Sequence, residues 1–290
     1  MTSSPFSFFA LLCLAAGLGL AGCDDQIDTP DSLQGTYTLW GALDPTADVQ
    51  SVRVVPVSDT IGRGNAAPLP VTVASVDLGT GAETSWRDSV VTFRDGSVGH
   101  IYRAALRPAY GSRHRFVVRR DGGREVSAVV AVPPSVEAVR QTPRIQGGLQ
   151  YPVLWPGAPQ LNRVRVTYTV QTLGCETEDV TRELVGTSGP VEFGWQTVVD
   201  VAAEASAIQT VLGGRRGLVR VTVSGEVASE DWRPPGGVFD FDVLADPTAL
   251  GNVSGGFGFV GSAYDASVSF VPTQNELSTT NFANTRGGCP

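Results

Sequence analysis

Few side chains in this sequence could do covalent or acid–base chemistry, and their spacing narrows the choices. All 21 basic side chains are arginine, which excludes Schiff-base and lysine-dependent catalysis. His100 and His114 are the two histidines available as general bases. Ser97 lies close to His100 and Ser254 precedes Gly255, but neither stands in the G-x-S-x-G elbow of a serine hydrolase. The spacing of the histidines fits no helical or loop metal motif. Asp240 and Asp242 alternate with Phe239, Phe241 and Val243. Paired carboxylates on one strand face could hold calcium or act as an acid pair; a solvated polar face is the competing account. Gly256-Phe257-Gly258-Phe259-Val260-Gly261 satisfies G-x-G-x-x-G. A dinucleotide site also needs a helix after it, with an acid about 20 residues on. Here another β-like stretch, Val268 to Val271, follows. The expected role of these glycines is to let a tail strand bulge or turn tightly.

Positioning begins at the N-terminus. Residues 6–20 form an apolar run with no charged side chain. It is too short and too rich in Gly and Ala for a span of about 20 apolar residues, and suits a secretory signal ending in small residues. No Lys or Arg precedes it, so only the terminal amine supplies positive charge. Leu20-Ala21-Gly22-Cys23 closes the run and resembles the lipobox of bacterial lipoproteins. The resemblance implies removal of a 1–22 signal peptide and acylation of the Cys23 thiol by fatty-acyl groups such as palmitate. Two or more acyl chains hold a protein stably, at about 0.8 kcal/mol per buried methylene. Residues 23–33 read as a solvated acidic tether. An acidic cluster there resembles a surface-export signal of Bacteroidota lipoproteins. Aspartate in the same place resembles an inner-membrane retention signal of enterobacteria, so the leaflet stays open.

Hydrophobic content of 42% and charged content of 17% describe a foldable globular chain. A net charge of −8 argues against nucleic acid as a partner, because phosphate binding depends on clustered cations. The densest basic run, Arg113, Arg115, Arg119, Arg120 and Arg124, alternates largely with apolar residues and reads as the wet face of a hairpin. Cys13 would leave with the signal peptide. Cys175 and Cys289 could then form a disulfide in an extracytoplasmic compartment, worth roughly 4 to 5 kcal/mol if unstrained, or remain free thiols. No cysteine spacing suggests zinc, and no cofactor is expected.

The remaining pattern is strand language: period-two alternation bounded by Gly, Pro and Asp. Arg163–Val170 and Leu218–Ser224 are the clearest examples, with valines facing one way and Arg, Thr or Ser the other. Tyr37–Leu43, Val49–Val57, Val71–Leu78, Val90–Phe93, Tyr102–Leu106 and Val238–Val243 are further strand candidates, and Phe116–Val132 reads as a hairpin. Val201–Leu212 breaks the rule with helical spacing, Asp200 as N-cap and Gly213-Gly214 as terminator. Pro133-Pro134 marks a boundary between an N-terminal β-sandwich (34–134) and a C-terminal β-domain with a glycine-rich tail (135–290). Trp155 and Trp232 stand among prolines, where a binding loop would present an indole; core packing is the other reading. Glu176, Glu178 and Asp179 read as loop acids.

Leu106, Gly111, His114, Phe116 and Val118, followed by Ala131-Val132-Pro133, resemble the strand and exit turn of an immunoglobulin-like domain, where tyrosine is usual at the place of His114. The fold expected is therefore mostly β: tandem immunoglobulin-like antiparallel β-sandwich domains, with one short helix in the second. The tail 252–261 resembles the glycine-rich signature of a Bacteroidota lipoprotein family catalogued as domain of unknown function 4249. That resemblance implies an accessory role beside a TonB-dependent outer-membrane transporter, and carries over no catalytic residue. The expected function is a lipid-anchored, non-enzymatic binding protein of the cell envelope; the alternatives are a secreted carboxylate-dependent hydrolase and a purely structural surface lipoprotein.

Overall fold

Alternation decides the architecture. In the strand Gln160–Gln171, Val164, Val166, Tyr168 and Val170 are buried, while Arg163 and Arg165 are exposed. A chain patterned in this way is stable only when the apolar face meets a second sheet. The computed structural model describes residues 36–57, 64–145, 147–171, 175–212, 217–232, 251–280 and 282. They form a mostly β protein of two sandwiches.

The first sandwich is built from β1 (Tyr37–Leu43), β2 (Val49–Pro56), β3 (Val71–Asp77), β4 (Glu83–Thr92), β5 (Val98–Ala105), β6 (Arg113–Arg120) and β7 (Val126–Ala131). The order β1-β2-β5-β4 makes one layer and β3-β6-β7 the other. Read in chain order this is the A-B-E-D and C-F-G arrangement of the immunoglobulin fold. β4 serves both layers: Glu83–Trp86 pairs with β3, and Arg87–Thr92 with β5. Between the layers lie Leu39, Val54, Tyr102, Phe116 and Val126. Trp86 sets its edge against Phe116 at 5.0 Å and donates its indole N–H to Ser75 Oγ at 2.9 Å.

The second sandwich repeats the plan with β8 (Val139–Arg140), β9 (Gln150–Pro156), β10 (Gln160–Gln171), β11 (Thr177–Glu183), β12 (Ser188–Val191), β13 (Gly194–Asp200), α1 (Val201–Leu212), β14 (Gly217–Ala228), β15 (Val253–Ser254), β16 (Phe257–Phe270) and α2 (Gln274–Leu277). Its layers run β12-β13-β9-β8 and β11-β10-β14-β16. α1 forms where the spacing predicts it. Asp200 Oδ1 accepts from the Ala203 amide at 2.9 Å, and Val201, Ala205 and Ile208 are buried in the core. Glu178 and Asp179 belong to β11, not to a loop. The strand expected at Val238–Val243 lies outside the described residues.

The tail joins the two sandwiches. β16 does not belong to the second sandwich alone. Phe257–Ser262 pairs with Thr38–Leu43 of β1, and the pairing is parallel, not antiparallel. Ala263–Phe270 then pairs antiparallel with β14. β15, just before it, pairs with β7. The division at residue 134 thus marks where the chain leaves the first sandwich, but residues 253–262 return to close that sandwich's open side. The result is one 12-stranded sheet running through both units. The linker is also tied down: Tyr264 Oη accepts from the Val136 amide at 2.7 Å and donates to the Pro134 carbonyl at 2.8 Å.

The glycine-rich signature follows from this crossing. Gly258 has φ +96°, and a Cβ there would collide with the Leu39 carbonyl. The run continues as strand without a helix, so the G-x-G-x-x-G match serves close backbone approach and not phosphate binding.

Candidate functional site

The residues with chemical potential are dispersed, and their bonds are already used. On β5, His100 is buried; Nδ1 is 2.7 Å from Asp88 Oδ2 and Nε2 is 2.8 Å from the Asn65 carbonyl. Both ring nitrogens thus face oxygen partners other than Ser97. That serine turns away and donates to Asp95 Oδ1 at 2.7 Å. Ser254 sits in β15, paired with Ser127. His114, on β6, is buried, and burial holds its pKa below the ordinary 6.5 although Asp77 pulls the other way. Its Nε2 lies 3.0 Å from Ser112 Oγ, which donates to the Ala109 carbonyl at 2.6 Å. This relay supplies the backbone tie that a tyrosine makes at the corresponding corner of an immunoglobulin-like domain.

The two tryptophans are core residues. Trp155, on β9, is 0% exposed, and its indole lies 3.2 Å from Thr197 Oγ1. Trp232 is 6% exposed and packs edgewise on Phe259 at 5.8 Å. Neither presents a ring to a ligand, because both indoles are buried in the core. Cys175 is disulfide-bonded and has φ 68°. Cys23, Cys289, Asp240 and Asp242 lie outside the described residues. Among the described residues no helix is long and apolar enough to cross a membrane, and no group of three or more His, Cys, Asp or Glu side chains could hold a metal. The basic run on β6 is exposed as expected, with Arg115 and Arg119 both reaching Glu125.

The structure brings together a different set, on the outward face of β11-β10-β14-β16. Thr181, Thr167, Thr222 and Ser269 fall in one row across the four strands. Thr167 and Thr181 share a hydrogen bond of 2.9 Å, and Thr222 and Ser269 one of 2.8 Å. Beside this row opens a cleft of about 320 Å³ lined by Arg163, Arg165, Glu183, Glu226 and Asp265. A bulge in β10 creates it. The register against β14 slips between Asn162 and Arg165, and Arg163 is held at φ +46°. Bulges of this kind re-aim side chains at a cost in backbone strain. Without the bulge, strict alternation from the buried Leu161 would turn Arg163 inward. Glu226, on β14, has a side chain only 15% exposed. Its Oε2 is 3.7 Å from Arg163 Nη1, and its Oε1 is buried with no hydrogen-bond partner among the described residues. Arg165 Nη2 is 3.4 Å from Asp265 Oδ2.

Sequence reasoning placed Arg163 and Arg165 on a solvated face and did not gather the acids around them. The available signal was an arginine and an acid at outward positions of separate strands, which becomes a site only once the register is known. No family model matches the chain, and no curated protein matches it. Among solved structures it is similar to the crystal structure of bovine butyrophilin, at 11% identity over 82% of this chain and 99% of that chain, with a TM-score of 0.20.

Proposed function

We propose that this is a lipid-anchored, non-enzymatic protein of the cell envelope that presents the outer face of its second sandwich to a binding partner. The observation that carries the reading is Leu20-Ala21-Gly22-Cys23 at the end of an uncharged apolar run, with acidic residues directly after it. Acylation at Cys23 leaves 14 residues before β1 begins at Tyr37 (37 − 23), a reach of at most about 50 Å from the bilayer. The first sandwich is then the membrane-proximal one by chain order. The engaged nitrogens of His100 and His114 support a binding role over acid–base catalysis. On the resemblance of the tail to domain of unknown function 4249, the membrane is the outer membrane and the partner a TonB-dependent transporter.

Labelling of the native host with a radioactive or clickable palmitate tests the anchor. Label and membrane fractionation are expected for the wild type and should both be lost in Cys23→Ala. An unmodified Cys23 thiol, or a mature chain retaining Met1, would sink the proposal. Co-purification against the same variant tests the partner: absence of any enriched envelope protein removes the transporter from the reading.

A further inference from the structure

We infer that the Arg163–Glu226 cleft binds a small zwitterion of the amino-acid or short-peptide type, its ammonium on Glu226 and its carboxylate on the two guanidiniums. The inference deepens the binding role proposed for this face and names a ligand class for it.

Three features of the cleft converge. Glu226 is a largely buried carboxylate that lines the cleft, and its Oε2 stands 3.7 Å from Arg163 Nη1, too far for a hydrogen bond. A carboxylate oxygen without a close donor is best satisfied by a cationic one. The two arginines hold their protein partners at 3.7 and 3.4 Å, longer than the roughly 2.7–2.9 Å of a well-formed charge-assisted bond. Their planar donor forks are therefore available to an incoming carboxylate, which they can grip in bidentate fashion. Finally, the bulge holds Arg163 at φ +46°, a conformation that glycine would adopt without strain. The strained backbone brings a guanidinium to the rim of the cleft.

The balance of charge selects the class. Three carboxylates and two guanidiniums line the wall, giving it a net −1 (2 − 3). A simple anion would meet Glu183, Glu226 and Asp265. A metal ion would meet both arginines. A molecule carrying both signs satisfies each wall with its own end, and the volume of about 320 Å³ lies at the small end of ligand pockets, suited to a dipeptide.

The test is titration of the full-length chain in detergent micelles at low ionic strength, where exposed charges are least screened. The probes are glycylglycine, ethylamine and acetate. Glycylglycine is expected to bind saturably, with ethylamine and acetate each at least about tenfold weaker, since each forfeits one charge-assisted contact. Glu226→Gln and Arg163→Gly should each weaken glycylglycine about tenfold or more. Arg163→Gly should at the same time leave the melting temperature equal or higher, because strain is relieved. That pairing of a sound fold with lost binding separates ligand contact from general damage. Failure of glycylglycine to saturate, equal binding by acetate, or undiminished binding in Glu226→Gln overturns the inference. The palmitate result at Cys23 is untouched by any of these outcomes, so failure of the ligand assignment is distinguishable from failure of the anchor.

Discussion

The two sandwiches share one strand plan and differ in how they are completed. The second finishes its outer layer with its own last strand, β16, laid antiparallel on β14. The first is left open after β7 and is closed by residues that arrive more than a hundred positions later: β15 on β7 and the first half of β16 on β1. One strand therefore serves as the edge of one unit and the seam of the other. Ser262 marks the handover, buried and donating to the Leu43 carbonyl at 2.7 Å. The lesson is that the first sandwich depends on the C-terminal part of the chain, whereas the second holds its core within residues 136–282.

The strongest way to break this comparison is Gly258→Val. The residue combines φ +96° with a Cβ directed into the Leu39 carbonyl, and a β-branched side chain there should cost at least about 3 kcal/mol. Hydrogen exchange locates the damage. Amides of β1 and β2 should lose protection first, while those of β10 keep theirs. Equal loss in β10 would show that the two sandwiches open as one cooperative unit, and the asymmetry drawn above would fall.

Trp155→Ala is the reciprocal test. It empties a fully buried site in the second core, with an expected cost of about 3–5 kcal/mol. Denaturant unfolding should show the loss, and exchange should confine it to β9, β10, β13 and β14. A variant with unchanged stability would return Trp155 to the role of a ligand-facing side chain.

A smaller effect sharpens the same comparison at the tail. Cys175 is disulfide-bonded, so Cys175→Ser should cost about 2–4 kcal/mol. If Cys289 is its partner, Cys289→Ser costs the same and the double variant no more. A mass shift showing the bond intact in Cys289→Ser would exclude that pairing.

How far the sequence discloses this molecule depends on whether a strand has one wet face. β1 and α1 have the bounds that alternation and helical spacing predict, Tyr37–Leu43 and Val201–Leu212. β4 does not: only Val90–Phe93 stands out, whereas the strand begins at Glu83. Its first half crosses between layers with Trp86 as its one buried residue, so the period is lost. β16 hides for the opposite reason. Residues 258–264 are buried without a break, because this stretch lies between the two units, and its glycines erase the pattern further. The cleft was not legible at all. Arg163 and Glu226 are far apart in sequence, and a bulge, which alternation cannot foresee, brings them within 3.7 Å.

The smallest effect concerns the corner of the first sandwich. Burial lowers the pKa of His114 below 6.5, the value the unfolded chain retains. Between the two values the unfolded state binds more protons, so its stability relative to the native state rises as pH falls. The contribution is complete above pH 6.5 and is lost progressively as the pH drops from 6.5 to the folded-state value. Asp77, whose carboxyl is held low chiefly by the Gly79 and Thr80 amides, titrates in a lower range and does not share this window. Urea midpoints for the wild type and His114→Phe, compared at pH 7.5 and 5.5, read the difference. The variant should lose the relay through Ser112 at both values but show a shallower decline on acidification. Parallel declines would mean that His114 is protonated in the native corner, and that the tie to Ala109 is made by an imidazolium rather than a neutral ring.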